Sequence, residues 1–181
     1  EFYGNARLRG KGDSLRKMLE SGVQYVEFRS FDLNPLDRLG ISYAQGRFYH
    51  LFFLYMIWIE NKATRDEIIE GQEKMLNTAD ENPHEVSAYQ KEALNILEGM
   101  LSMVNDLSLN DEFEELIHKA QEKFYHPEET LSARVADQIE EQGYLTFNRN
   151  LGLEFKEFST ERPYVLNGFE DMELSTQLLM Y

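Results

Sequence analysis

The feature that most constrains this chain is residues 24–32, which read Gln-Tyr-Val-Glu-Phe-Arg-Ser-Phe-Asp. The stretch is rich in β-branched and aromatic residues, contains no glycine or proline, and is followed by a Leu-Asn-Pro turn. This pattern predicts a β-strand. Because side chains alternate along a strand, two faces can be assigned. One face carries Tyr25, Glu27, Arg29 and Phe31. The other carries Val26, Phe28 and Ser30, is mostly apolar, and suits a core.

Glu27 and Arg29 bring an acid and a base together on the first face. Residues two positions apart along a strand are separated by roughly 6–7 Å. At that spacing a carboxylate can bind Mg²⁺ while a guanidinium binds a phosphate oxygen of the same nucleotide. The same spacing also suits a structural ion pair, or two solvated side chains on an open sheet face. Both explanations stay open from spacing alone, which favours the ion pair because such pairs are common.

The first part of the chain is predicted to be a β-α-β unit, with strands over 2–9 and 24–32 around a helix over about 14–21. Asp13 or Ser14 would cap that helix and Gly22 would end it. The remainder reads as helical. Helices are predicted over about 42–61, 64–76, 84–107, 110–125, 128–142 and 147–158, with a turn at 167–168 and another helix from 171.

The most apolar of these helices lies between Phe48 and Ile59, and its large side chains cover every face. Such a helix should be buried on most sides. The predicted fold class is therefore α+β and mostly helical, with N-terminal strands packed against a bundle of about six helices.

Composition excludes several classes of protein. A hydrophobic fraction of 42% is typical of a folded chain, and 33 acidic against 18 basic residues give a net charge of −15. This charge disfavours general binding to nucleic acid or to anionic membranes. The absence of cysteine excludes disulfides and thiolate metal sites, and it permits the cytoplasmic location that we expect.

The strand motif Tyr-Val-Glu-Phe-Arg-Ser-Phe-Asp-Leu-Asn-Pro (25–35) resembles the glutamate–cysteine ligase family. It is most similar to the ligase half of the bifunctional bacterial enzymes that also carry a glutathione synthetase half. Three further segments share the resemblance: Gln45-x-Arg47-Phe48, Leu-Ser-Ala-Arg-Val at 131–135, and Glu-Leu-Ser-Thr-Gln-Leu-Leu-Met at 173–180.

The resemblance implies an activity and a set of site residues. Members of this family join the γ-carboxylate of glutamate to cysteine through γ-glutamyl phosphate, with ATP as co-substrate and Mg²⁺ or Mn²⁺, on a sheet similar to that of glutamine synthetase. Glu27 matches a metal-ligating glutamate, and Arg29 matches an arginine that contacts the transferring phosphate. Tyr3 matches a tyrosine near the cysteine-binding pocket. Arg7 and Arg9 could face the nucleotide or could be solvated.

The chain is expected to be a piece of a longer enzyme, because it starts without methionine and closes on an apolar, uncapped helical run. Residues 1–170 would be the C-terminal part of the ligase catalytic domain, and 171–181 would lead to a following domain. Its partners would then be the preceding segment and following domain of the same polypeptide. The competing hypothesis is an acidic helical interaction or regulatory module without an active site.

Overall fold

The computed structural model describes residues 6–11, 14–29, 31–60, 62–161 and 173. The chain divides into two compact units, Glu1–Leu33 and Asn34–Tyr181. The predicted class is confirmed, because the described residues form a two-stranded antiparallel sheet and are otherwise mainly helical. Tyr3, the predicted turn at 167–168 and, apart from Glu173, the predicted helix from 171 lie outside the described residues.

The first unit contains the strands β1 (Ala6–Gly10) and β2 (Val23–Phe28), with helix α1 (Leu15–Ser21) between them. Ser14 caps α1 by accepting a hydrogen bond from the Lys17 backbone N–H. The strands pair antiparallel. Because β2 ends at Phe28, the predicted strand over 24–32 is too long, and Arg29 lies just beyond the ladder.

The apolar face of the sheet is formed by Ala6 and Leu8 opposite Phe28 and Val26. Leu8 is 52% exposed and Val26 is 40% exposed. The expectation that this face covers a core is therefore wrong for the described residues. Two strands have too little area to bury a face by themselves, which is why an isolated two-stranded sheet is at best marginally stable.

The second unit is helical in its described part. Its helices are α2 (Tyr43–Trp58), α3 (Arg65–Ala79), α4 (Gln90–Asp106), α5 (Asp111–Tyr125), α6 (Leu131–Gln142) and α7 (Tyr144–Glu161). In the part of the chain that the structure describes, no helix combines the length and the apolar character that crossing a membrane requires.

Local capping explains where three of these helices begin. Ser42 and Gln45 form a capping box at the start of α2, and Thr64 and Glu67 form another at the start of α3. Asn110 caps α5 by accepting a hydrogen bond from the Glu112 backbone N–H at 2.9 Å. Each side-chain oxygen satisfies an N–H group that has no partner within the helix. All three predicted starts are confirmed.

Helix α4 begins at Gln90, six residues later than the predicted start at 84. Side chains in the preceding segment bond the local backbone instead. Asn82 accepts a hydrogen bond from the His84 N–H at 3.1 Å, and Ser87 accepts one from the Tyr89 N–H at 3.1 Å. Such bonds offer the backbone an alternative to the helix.

Helix α6 also begins later than predicted. Pro127–Glu129 form a 3₁₀ turn, and Thr130 then caps α6 by accepting a hydrogen bond from the Ala133 N–H at 3.2 Å. Gly143, with a φ of 81°, ends α6 as expected from the sequence. Helix α7 follows at once, three residues before the predicted start at 147.

The core of this unit lies where α2, α4 and α5 pack together. Its buried members are Leu51, Leu97, Met100, Met103, Val104, Phe113 and Ile117. They recur at helical spacing on α4 and α5, so each helix contributes one apolar stripe.

The prediction that α2 is buried on most sides is wrong. Leu51 is its buried residue, whereas Ile57 is 77% exposed and Met56 is 50% exposed. Helix α3 has no buried residue at all, although Ile68 and Leu76 are apolar. The exposure of α2 has a geometric reason, because α4 and α5 cover one side of this helix and leave its opposite side in solvent.

Candidate functional site

The antiparallel register of β1 and β2 places the charged residues of the motif on one face of the sheet. Arg7 lies opposite Glu27, and Arg9 lies opposite Tyr25. Directly opposed residues share a face, and so do residues two apart on a strand. This face therefore carries Arg7, Arg9, Tyr25 and Glu27, and the ion pair between Arg29 and Glu27 brings Arg29 to it as well.

Glu27 is the centre of this group, because each of its carboxylate oxygens accepts a hydrogen bond from a different arginine. Arg29 Nε donates to Oε1 at 2.8 Å. Arg9 donates to Oε2 from Nε at 2.9 Å, and its Nη2 lies 2.7 Å from the same oxygen. We call Arg9, Glu27 and Arg29 the arginine–glutamate cluster. The predicted proximity of Glu27 and Arg29 is confirmed, and in this structure the two residues form the ion pair that spacing alone favours.

The arginine–glutamate cluster is open to solvent. The side chains of Glu27, Arg9 and Arg29 are 34%, 35% and 35% exposed. A closed core around Glu27 and Arg29 would have favoured the interaction or regulatory module, but side chains that are about one-third exposed do not lie in a closed core. A charged ligand can therefore reach all three side chains without displacing a packed core.

The two arginines also determine the charge state of Glu27. The hydrogen bond from Arg29, followed by the hydrogen bond from Arg9, lowers the pKa of Glu27 from 4.5 to about 2, against a smaller opposing effect of desolvation. The carboxylate is therefore ionised at any physiological pH. The same interactions hold both guanidinium groups toward one point on the sheet.

Glu27 is suited to hold Mg²⁺ as one oxygen ligand, because Mg²⁺ is commonly bound through one or two carboxylates together with substrate phosphates. Among the described residues there is no group of three or more His, Asp or Glu side chains that could hold a metal. The donor set therefore fits a metal ion that arrives with phosphate ligands, and it does not fit a metal held by these residues alone.

The motif segment at 45–48 makes structural contacts in the second unit. Gln45 accepts a hydrogen bond from Asn34 Nδ2 at 3.0 Å, which ties the Asn-Pro turn to the start of α2. Arg47 pairs with Glu112 at 3.2 Å and lies over the Phe113 ring, which links α2 to α5. These contacts give Gln45 and Arg47 structural roles, and Arg47 Nε is buried with no hydrogen-bond partner in the described part of the chain.

Two open cavities lie in the second unit, with volumes of about 380 Å³ and about 220 Å³. The larger is lined partly by Arg38 and Glu154, and the smaller partly by Arg134 and Asp137. None of the residues of the arginine–glutamate cluster lines either cavity. The concentration of arginine around a carboxylate, rather than a deep pocket, therefore marks the candidate site.

Sequence reasoning left Arg9 open between two roles, and the structure brings it into the cluster. The contact joins residues 18 positions apart, so helical or strand periodicity could not reveal it. The only available signal was the alternation of Arg7 and Arg9 within the predicted first strand. Tyr3, the third predicted site residue, lies outside the described residues.

Comparison with known proteins supports the resemblance in the motif. Residues 1–79 match the family described as glutamate–cysteine ligase. The glutathione biosynthesis bifunctional proteins of Mannheimia succiniciproducens and Pasteurella multocida are 38% and 37% identical over the whole chain. The chain spans 24% of the length of each of these relatives.

The fold of the chain is also similar to that of a solved bifunctional enzyme. The crystal structure of a bifunctional glutathione synthetase from Pasteurella multocida matches 99% of this chain with a TM-score of 0.91 and 37% identity, and 24% of that protein is covered. The resemblance to the glutamate–cysteine ligase family and to its bifunctional bacterial members is therefore confirmed.

Proposed function

We propose that this chain is part of an ATP-dependent glutamate–cysteine ligase, of the kind that acts in glutathione biosynthesis and is joined to a glutathione synthetase. The observation that carries the proposal is the arginine–glutamate cluster, which presents one carboxylate and two guanidinium groups on an open sheet face. The match of residues 1–79 to the ligase family supports it, because that segment includes the whole cluster. A non-enzymatic acidic module does not require such a cluster.

The proposed reaction places specific demands on this face. ATP transfers its γ-phosphoryl group to the γ-carboxylate of glutamate, and the amine of cysteine then attacks the acyl phosphate and releases phosphate. Proteins assist phosphoryl transfer mainly through positioning and fixed positive charge. Arg29 would contact the transferring phosphate, because a guanidinium matches phosphate oxygens with a planar fork of donors. Arg29 is thus the proposed catalytic and nucleotide-binding residue.

Glu27 would hold Mg²⁺, which neutralises the charge that develops on the phosphate oxygens when it is bound. Its low pKa keeps it ionised and ready to act as an oxygen ligand. An ionised carboxylate has about four lone-pair sites, so Glu27 would have a site left for the metal while it accepts hydrogen bonds from the two arginines. Tyr3 would contact the cysteine substrate, and a cytoplasmic location is part of the same proposal.

We further propose that other parts of the same polypeptide cover the exposed apolar surface of α2 and α3. Ile57 and Met56 on α2, and Ile68 and Leu76 on α3, are all at least half exposed. Burying a side chain of this kind typically contributes about 1.5–3 kcal/mol, so leaving several in water is costly. The relatives are about four times longer than this chain and contain enough additional polypeptide to cover them.

The role of Arg29 is tested by Arg29→Lys in the full-length parent enzyme. We expect kcat to fall by at least ~10²-fold, because lysine keeps the charge but loses the planar fork of donors that stabilises the transferring group. Turnover is measured as ADP release that depends on glutamate and cysteine. Arg16→Lys on α1 is the matched control, since Arg16 is 89% exposed and pairs only with the helical neighbour Glu20 among the described contacts. Near-normal turnover in Arg29→Lys would remove Arg29 from the mechanism.

The isolated 181-residue chain is expected to show no ligase activity in the same assay. Glu27 is the single carboxylate of the cluster, no group of three or more metal-ligating side chains occurs among the described residues, and the chain represents 24% of its relatives' length. Purified chain is mixed with glutamate, cysteine and Mg-ATP, and ADP release is followed. Turnover well above the enzyme-free background would contradict this expectation.

A further inference from the structure

Arg9 donates a hydrogen bond to one carboxylate oxygen of Glu27, as Arg29 does to the other. We propose that Arg9 is a second phosphate-binding residue, which contacts the nucleotide's phosphate chain beside Arg29. The inference rests on the proposed function and deepens it, because the resemblance implies a phosphate contact for Arg29 and leaves the role of Arg9 open.

The geometry of the cluster is the first argument. Arg9 Nε and Arg29 Nε lie 2.9 Å and 2.8 Å from the two different oxygens of Glu27. The carboxylate therefore lies between two guanidinium groups that come from neighbouring segments of one sheet. A guanidinium has five N–H donors, so it can contact a carboxylate and a phosphate oxygen together. Holding both groups in place before the ligand arrives reduces the entropy that binding would otherwise cost.

The balance of charge on this face is the second argument. Arg7, Arg9 and Arg29 bring three guanidinium groups to this face, beside the carboxylate of Glu27. The chain as a whole has a net charge of −15. Guanidinium groups are therefore concentrated on this face of an otherwise acidic chain. Such a concentration of guanidinium groups is suited to a polyanion such as a triphosphate.

Stability does not account for the arginine pair. Ion pairs whose side chains are about one-third exposed usually contribute little to the free energy of unfolding. Both arginines are 35% exposed. The sheet is held together by its backbone ladder from Ala6 to Gly10. Replacing Arg9 should therefore leave the fold in place and change the binding of an anion.

The test is Arg9→Gln in the full-length parent enzyme, with the affinity for a non-hydrolysable ATP analogue measured by calorimetry with Mg²⁺ and, separately, with EDTA. We expect affinity to fall at least ~10-fold in both conditions, the order that one charge-assisted hydrogen bond is worth. KM for ATP should rise in parallel, while kcat falls much less than in Arg29→Lys. Arg16→Gln is the matched control and should bind normally. The melting temperature is recorded for each variant.

A second variant keeps the test decisive if Arg9→Gln is unstable. Arg9→Lys retains the charge and loses the fork, so it should bind the analogue more tightly than Arg9→Gln and less tightly than the parent. Folded Arg9 variants that bind within about twofold of the parent would overturn the inference. If Arg29→Lys were inactive in that case, the proposed function would stand without Arg9. If Arg29→Lys were also unaffected, the proposed function would fail as well.

Discussion

The two units of this chain are stabilised in different ways. In the second unit, Leu51, Met100 and Ile117 are fully buried where α2, α4 and α5 meet. In the first unit, none of the described strand residues is buried, and Leu8 on the apolar face is 52% exposed. One unit has a hydrophobic core, and the other has a backbone ladder with the arginine–glutamate cluster on one face.

This difference indicates how structure and function are divided. Buried apolar area is the main source of folding free energy, so the helical unit carries the stability. An open face with three arginines contributes little to stability but is accessible to a charged ligand. The candidate site therefore lies in the unit with the weaker packing, where side chains can exchange their partners.

The largest expected effect comes from truncating the core. Ile117→Ala should lower the free energy of unfolding by about 2–5 kcal/mol, because it leaves a cavity in a fully buried position. Ile57→Ala is the matched control on the exposed side of α2 and should change the free energy of unfolding by less than about 0.5 kcal/mol. Val26→Ala in the sheet unit should also have a small effect. Urea denaturation measures all three, and a loss for Val26→Ala equal to that for Ile117→Ala would contradict the comparison.

A smaller effect is expected where α2 approaches α4. A Cβ added at Gly99 would meet the hydroxyl of Tyr55 and lie 2.9 Å from its ring carbon Cζ. Gly99→Ala should therefore destabilise the helical unit by about 1–3 kcal/mol, in spite of the better helix propensity of alanine.

Gly71 on α3 is the matched control for Gly99, because a Cβ there meets no atom within 4 Å. Gly71→Ala should stabilise the protein by roughly 0.5–1 kcal/mol, through helix propensity alone. Thermal unfolding measures both variants. If Gly99→Ala and Gly71→Ala changed the stability in the same direction, the approach of α2 to α4 would not restrict the side chain at position 99.

The smallest expected effect on stability comes from protonating Glu27 in the first unit as the pH is lowered. Because the folded pKa of Glu27 is lowered from 4.5 to about 2, its contribution is fully present above about pH 4.5 and is lost as pH falls toward 2. Carbon-13 NMR of the Glu27 carboxyl group measures this titration. Arg29→Gln should raise the pKa more than Arg9→Gln, because the Arg29 hydrogen bond is the larger cause. A titration unchanged by both substitutions would show that the cluster does not form.

Much of the local structure could be predicted from the sequence, because it depends on residues close together in the chain. Ser42, Thr64 and Asn110 cap their helices through contacts with residues two or three positions ahead. The start of α4 could not be predicted, because Asn82 and Ser87 bond the backbone in a way that competes with helix formation. Helical periodicity does not report that competition.

The prediction that α2 is buried was wrong for a different reason. An apolar helix is predicted to be buried, but burial also needs neighbours on every side, and α4 and α5 cover only one side of α2. The residue pattern shows which side chains are apolar enough to be buried. Whether they are buried depends on the segments that pack around them. Ile57 is apolar enough and remains 77% exposed.

By itself the sequence determined the mostly helical class, the capped helix starts, and the proximity of Glu27 and Arg29. These follow from side-chain alternation and from contacts over a few residues. Only the tertiary structure decided that Arg9 joins them, because that contact depends on the register between two strands, and no local pattern specifies which residues an antiparallel pairing brings opposite each other.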